Sequence, residues 1–297
     1  MPPFSTLLTS YVHPSENAAD ALVRAEIGAL IRALDAIDLT ELDAYRLLDR
    51  TDTKFLLRDW QLVAILQAVG HRYRVLAATA DRINRYRTLY FDTQDLGFYQ
   101  QHHNDRQDRY KVRCREYVDS GLNFVEVKHK INRQRTIKER LQTATFYTRL
   151  TGEARDFVAA HVPMDVDQLE PTLLNEFSRI TLVSKSRPER LTIDIDYRHE
   201  WGGRNGALPG FVIAEVKQPK FDLASDFVQG LRALGVRPGG FSKYCTAVVD
   251  LYPYVKYNRF KRRFLQLQRL RTQEPERGPL ALESANNQPD SSQRGNQ

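Results

Sequence analysis

Cysteine, methionine and tryptophan are scarce in this 297-residue chain, two of each. The two thiols, Cys114 and Cys245, stand in no C-x-x-C or zinc-like spacing, which excludes a zinc ribbon and a disulfide framework. Cys114 falls on the apolar side of a predicted strand and reads as a buried free thiol. No run approaches the ~20 apolar residues that cross a bilayer. Met1 to His13 lacks a basic region followed by an apolar core, so no secretory signal is expected and the chain reads as cytoplasmic. There is no G-x-x-x-x-G-K-[ST], no G-x-S-x-G and no H-E-x-x-H, which sets aside P-loop, nucleophile-elbow and zincin chemistry. Gly202-Gly203-x-x-Gly206 lacks the strand–helix context of a dinucleotide loop and reads as plain loop. His102 and His103 adjoin, so they point apart in any regular element and make a poor metal pair.

What is present is ionic. Lys and Arg number 44 against 37 Asp and Glu, a formal charge of +7. That excess permits a nucleic acid, an acidic lipid surface or a phosphate compound as partner without choosing among them. Helical spacing appears over 16–48, with Val23, Ile27, Leu30 and Leu34 as one stripe, and again from Asp59 to Gly70, over 143–162, over 222–234 and over 257–271. A short helix is expected between Asp95 and His103. Strands are expected near 50–58, 71–78, 82–91, 109–118, 122–131, 135–141, 172–185, 190–199, 211–217 and, last, Ser242 to Leu251. Meander connections dominate, which argues for an α+β fold: a closed antiparallel β-barrel with helices packed outside, not alternating βαβ units. The domain is expected over 20–271, after a partly ordered segment 1–19 and before a disordered, apolar-poor tail 272–297.

Four stretches place charge at every second position: Lys111-Val112-Arg113-Cys114-Arg115, Phe124-Val125-Glu126-Val127-Lys128, Thr192-Ile193-Asp194-Ile195-Asp196 and Ile213-Ala214-Glu215-Val216-Lys217. On a strand each has one apolar and one ionic face. In most soluble sheets the ionic face meets water. Here Lys111, Arg113 and Arg115 form a same-face row of cations, which mixed signs would relieve on a mere surface. The opposite faces carry Val125, Val127, Ala214 and Val216, suited to packing under helices, so the ionic faces are expected to point inward. Buried cations need a wet or phosphate-filled space. A carboxylate among them has a use if Mn²⁺ or Mg²⁺ arrives with the phosphate. Glu215 is the first choice of ligand, with a plain ion pair to a neighbouring Lys or Arg as the alternative. The basic, aromatic-containing stretch Asn258 to Phe264 reads either as a solvated helix end or as a contact to RNA, acidic lipid or a polyphosphate leaving the site.

Eight segments, in order over about 40–252, resemble the VTC-domain polyphosphate polymerases of the wider group of triphosphate tunnel metalloenzymes. They are Arg50-x-Asp52-x-Lys54-Phe55, Tyr86-Arg87-x-x-Tyr90-Phe91-Asp92, Lys111 to Tyr117, Val125 to Lys128, Phe177-Ser178-Arg179, Arg190 to Asp194, Ala214 to Lys217 and Ser242-Lys243-Tyr244. The resemblance implies a tunnel that binds ATP with Mn²⁺ or Mg²⁺ and passes its terminal phosphate to a growing inorganic polyphosphate, releasing ADP. By position it implies that Lys54, Arg113, Arg115, Lys128, Arg179, Arg190 and Lys243 act on the phosphates. Arg50, Arg87, Lys111, Lys217 and Ser242 would add contacts, and Glu215, with Glu126 as second carboxylate, would hold the metal. The family usually has Tyr where Phe177 stands. The first strand reads Asp52-Thr53-Lys54, not the Glu-x-Glu-x-Lys of the related triphosphatases, which favours the polymerase branch. Hydrolysis of a triphosphate, and non-catalytic polyphosphate or RNA binding, are the alternatives. No specific nucleic acid is implied. A membrane-associated partner protein, with the chain peripheral to the inner face of a membrane, is compatible with the resemblance.

Overall fold

The structure, a computed structural model, describes residues 18–43, 45, 47, 49–132 and 135–272. The expectations for the N-terminal segment and the tail concern residues that lie almost wholly outside these.

Alternation of apolar and ionic residues builds one antiparallel sheet. In chain order the elements are α1 (Ala18–Ala33), β1 (Asp35–Ile37), α2 (Leu39–Asp43), β2 (Thr51–Arg58), α3 (Asp59–Val69), β3 (Tyr73–Leu76) and β4 (Asn84–Thr93). Next come α4 (Gly97–His103), β5 (Arg109–Tyr117), β6 (Leu122–Lys130), β7 (Thr136–Thr143), α5 (Gly152–Ala159), β8 (Leu169–Ser184) and β9 (Arg190–Trp201). The last are β10 (Arg204–Ala207), β11 (Phe211–Gln218), α6 (Asp226–Ala233), α7 (Lys243–Leu251) and α8 (Lys261–Arg271). The main path runs β2-β11-β9-β8-β4-β5-β6-β7, with β10 added on β9 and β3 on β8. Only β1–β3 is parallel among the described ladders. No ladder joins β7 back to β2 among the described residues, so the hydrogen bonds trace an open path and not a ring. β7 is mostly exposed and carries Lys138, Glu139 and Arg140, the charged dress that keeps a sheet edge from pairing with other chains.

One face of the sheet is greasy and covered. Phe55, Leu57, Ile180, Leu191, Ile193, Val212, Ala214 and Val216 pack under α1, α3 and α6 through Ile27, Leu62, Ile65 and Phe227. Val112, Cys114, Val125 and Val127 pack under Ala154 and Val158 of α5. Cys114 is buried and free, as the sequence implied, and Cys245 is buried and free as well.

The last helices depart from the expectation. Ser242 to Leu251 is not a strand: Ser242 caps α7, its Oγ accepting from the Cys245 N–H at 3.2 Å. Nor does α7 lie outside. Tyr244, Cys245, Ala247, Val248 and Leu251 share one core with Leu56, Tyr86, Phe177, Tyr197 and Ile213, which alternate with the ionic positions on the sheet's other face. Every residue from Tyr244 to Leu251 is buried, so the helix shows no polar stripe from which its period could be read. The helix expected over 143–162 is also shorter: β7 runs to Thr143, and α5 starts only at Gly152, whose φ of +51° suits glycine. The Gly-rich loop contains β10.

Candidate functional site

The ionic side chains emerge where alternation directs them, onto the face that α7 also occupies. Lys54 on β2 stands opposite Glu215 on β11, and Lys217 opposite Asp52. Arg179 on β8 faces Asp194 on β9. Arg113 on β5 faces Glu126 on β6, and Lys111 faces Lys128. The two flanks of the sheet look at each other across this face. Lys128 lies within electrostatic reach of Lys54 and Glu215, at the far end of the strand order. Arg179 also feels Glu215.

Three carboxylates organise the cations, each shared by two. Glu126 accepts from Arg113 Nε at 2.6 Å and pairs with Lys138 of β7. Asp194 takes Arg179 in a bidentate grip at 2.6 and 2.8 Å and also pairs with Lys243. Glu215 pairs with Lys54 and accepts from Lys217 Nζ at 2.6 Å. Burial works to raise all three carboxyls, and the adjacent cations outweigh it. Arg113, Arg115 and Lys138 hold Glu126 well below the usual carboxylate range. Arg179 and Lys243 do so for Asp194, and Lys54 and Lys217 for Glu215. All three are therefore anionic at neutral pH.

Other cations have no carboxylate within ion-pair distance among the described residues. Buried Arg115 donates through Nε to Thr88 Oγ1 at 3.2 Å. Burial, then Arg113, depress its pKa. Lys111 donates to Ser242 Oγ at 3.2 Å. Arg190 keeps a buried Nε without a hydrogen-bond partner. Lys128 is solvent-exposed by area; partial desolvation by the surrounding protein, then Lys111, Lys54 and Arg113, bring its ammonium down to about 8. Aromatic faces partly replace the missing anions. Phe177 stacks on Tyr86 at 5.2 Å and lies 4.4 Å from Lys243 Nζ, with Arg179 and Arg115 at 5.2 and 5.9 Å. The Phe177 ring thus lies beside three cations and offers them a π-face but no hydroxyl.

Of the residues singled out from sequence, Lys54, Lys111, Arg113, Arg115, Glu126, Lys128, Arg179, Arg190, Glu215, Lys217, Ser242 and Lys243 share this face. Arg50 sits at the rim, bound to Asp52 Oδ1 at 2.9 Å. Arg87 is the exception and its inclusion is corrected. It lies on the opposite face, paired with Glu116 at 2.7 Å and stacked over Phe146. Two participants were not assigned from sequence, Asp194 and Lys138. Asp194 lies in one of the four alternating stretches, and Lys138 follows the same alternation in β7. Asp196 turns away to pair with Arg24 of α1 at 2.8 Å, because a register break and a φ of +55° interrupt β9 there.

Among the described residues no three His, Cys, Asp or Glu side chains gather as a metal cluster. Glu215 and Glu126 are each engaged by two cations. The donor set suits a divalent ion that shares one carboxylate with the oxygens of an incoming phosphate, not a resident ion held by protein alone.

The family model described as VTC domain matches residues 49–252. No curated protein matches the chain. Among solved structures, a candidate adenylate cyclase from Bacillus halodurans is similar at 13% identity and a TM-score of 0.41, over 65% of this chain and 95% of that one. A candidate adenylyl cyclase from Hippeastrum, described as having a dominant triphosphatase activity, is similar at 13% identity and a TM-score of 0.41, over 66% and 93%. The Pct1 RNA triphosphatase of S. pombe is similar at 9% identity and a TM-score of 0.26, over 87% and 94%.

Proposed function

Because the chain belongs to the VTC domain family, we propose that it is a polyphosphate polymerase, moving the γ-phosphoryl group of ATP onto the end of an inorganic polyphosphate and releasing ADP. One observation supports this reading above the rest. Ten cations share one face of the sheet with the start of α7: Lys54, Lys111, Arg113, Arg115, Lys128, Lys138, Arg179, Arg190, Lys217 and Lys243. Among the described residues they pair with four carboxylates, Glu126, Asp194, Glu215 and, through Lys217, Asp52. A surplus of that size, gathered inside a fold, calls for a polyanion. Arg contributes planar forks for phosphate oxygens and Lys mobile point charges.

In the reaction, an anionic terminal oxygen of the polyphosphate attacks the γ-phosphorus, and the bond from that phosphorus to the β–γ bridging oxygen breaks. The electron pair leaves with ADP. The nucleophile is already deprotonated at neutral pH, so alignment and charge stabilisation carry the step and no strong base is required. Cations poised at the β- and γ-phosphates stabilise the charge that grows on the leaving group. Arg113, Arg115, Arg179 and Lys243 are the best candidates, since their partners and aromatic neighbours fix them in advance. Mn²⁺ or Mg²⁺ would be held by Glu215, with Glu126 as the weaker second choice, and would neutralise phosphate oxygens. Ser242 and Lys243 stand at the positive end of α7, which favours an anion there.

Incubation with ATP and Mn²⁺ or Mg²⁺ tests the proposal. ADP together with long phosphate chains on a gel is the expected result. Orthophosphate without chains assigns hydrolysis instead, and no turnover with salt-sensitive polyanion binding leaves a binding module.

A further inference from the structure

A cavity of about 660 Å³ opens beside the ionic face and shares Lys111, Lys128 and Ser242 with it. Its far wall comes from residues beyond 252, where the family match ends: Arg259, Arg262 and Arg263. Seven Lys or Arg side chains line it against one carboxylate, Asp105, which Arg109 already engages at 2.7 Å. We propose that this cavity is a second anion compartment, in which the segment 258–263 takes the part of a polyphosphate chain that extends past the reacting phosphates. The inference rests on the polyphosphate reading of the neighbouring site and adds to it a role for residues outside the matched domain.

The wall is built to stay in place. His103 Nε2 lies 2.8 Å from Asn258 Oδ1, and Arg259 donates to the Asn104 carbonyl at 2.9 Å. Tyr99 donates its hydroxyl proton to the Lys256 carbonyl at 2.7 Å. Phe260 meets the His103 ring edge-on at 5.5 Å, and Phe264, Leu267 and Leu270 sink into the core. The apolar stripe of α8 is thus spent on docking, and its first turn turns cations toward the cavity. Arg263 rests over the Phe260 ring, 5.4 Å from its centroid, and pairs with no carboxylate among the described residues. Arg262 is exposed.

The volume falls within the range that takes a ligand larger than a single phosphate. Continuity through Lys111 and Lys128 means a chain reaching one compartment meets the other. The lining favours inorganic polyphosphate over single-stranded nucleic acid, because base-stacking platforms are part of non-specific nucleic-acid grooves, and the rings in this lining are committed elsewhere: Phe260 is buried beneath Arg263, His103 is buried against Phe260, and His102 Nε2 lies 3.1 Å from the Tyr110 carbonyl oxygen.

The experiment compares dissociation constants of long-chain polyphosphate and of inorganic tripolyphosphate for the wild-type protein, the Arg262→Gln/Arg263→Gln double variant and the Arg262→Lys/Arg263→Lys variant. Wild-type protein is expected to bind the long chain at least tenfold tighter. The Gln pair should shrink that ratio severalfold and lower the slope of log affinity against log salt by roughly one per charge removed. The Lys pair should restore both, which a merely structural role of the arginines would not produce. An unchanged ratio in the Gln pair overturns the second compartment while tripolyphosphate binding leaves the first site standing. Failure of wild-type protein to bind tripolyphosphate overturns the underlying reading instead. Tighter binding of an RNA oligonucleotide of equal charge, or of anionic vesicles, overturns the assignment of the occupant.

Discussion

Lys243 and Arg113 differ in what they leave behind when removed. Asp194 keeps the bidentate Arg179 when Lys243 is gone. Glu126 loses its Nε partner with Arg113 and is left, almost fully buried, with Lys138. Breaking a buried pair on one side costs roughly 3–5 kcal/mol. Lys243→Ala should therefore keep a near-wild-type melting temperature while polyphosphate synthesis falls about a hundredfold, roughly the loss of one transition-state donor. Arg113→Ala should lose both synthesis and stability. Melting curves alongside turnover assays separate the two, and an active Lys243→Ala enzyme would count against the assigned site. Alternation alone made most of this face legible, since a strand fixes which side each residue takes. The same alternation set Arg87 opposite Tyr86, Thr88 and Tyr90, so its assignment to the interior conflicted with the pattern that located the others. Which carboxylate each cation would choose depended on cross-strand register, and that is set by long-range pairing.

At the scale of the element, α7 decides where Ser242 and Lys243 stand. It is tied down at several points. Tyr197 donates to the Lys243 carbonyl at 2.9 Å, Tyr244 bonds buried Asp92, and His199 Nε2 lies 2.8 Å from Asp250 Oδ2. Gly206 on β10 makes room for the last of these. A Cβ there would sit 2.1 Å from Asp250 Oδ2 and 2.7 Å from His199 Nε2. Gly206→Ala must push that pair aside, an overpacking cost of roughly 1–3 kcal/mol. The expected outcome is a lower melting temperature together with weaker tripolyphosphate binding, because the displaced helix carries Ser242 and Lys243 with it. Binding that stays at the wild-type level in a destabilised variant would separate α7 from the site. Sequence reasoning missed this helix for a physical reason. Val248 and Val249 are β-branched, and burial on all sides erased the 3.6-residue period that distinguishes a helix from a short apolar strand.

Across the whole molecule, the unliganded fold holds like charges close together, and an anion that fills the space should relieve them. Linkage then requires stabilisation by the ligand: at a concentration a hundred times the dissociation constant, about 2.7 kcal/mol. For a domain of this size that is a rise in melting temperature of roughly 5–10 °C. The sign of its pH dependence follows from Lys128, whose ammonium is brought down to about 8 by desolvation and then by Lys111, Lys54 and Arg113, with Glu215 the opposing charge. Below that pH the side chain is protonated and attracts the anion; above it the charge is lost and attraction weakens. The tripolyphosphate-induced shift should therefore shrink as pH rises from 7 to 9. Lys128→Gln should show a smaller shift at pH 7 and a flatter profile through the window, while the ligand's own titration is common to both proteins and cancels in the comparison. Identical profiles for the two proteins would remove Lys128 from the anion's surroundings. No rise at any pH would mean that the gathered cations do not receive a polyphosphate at all.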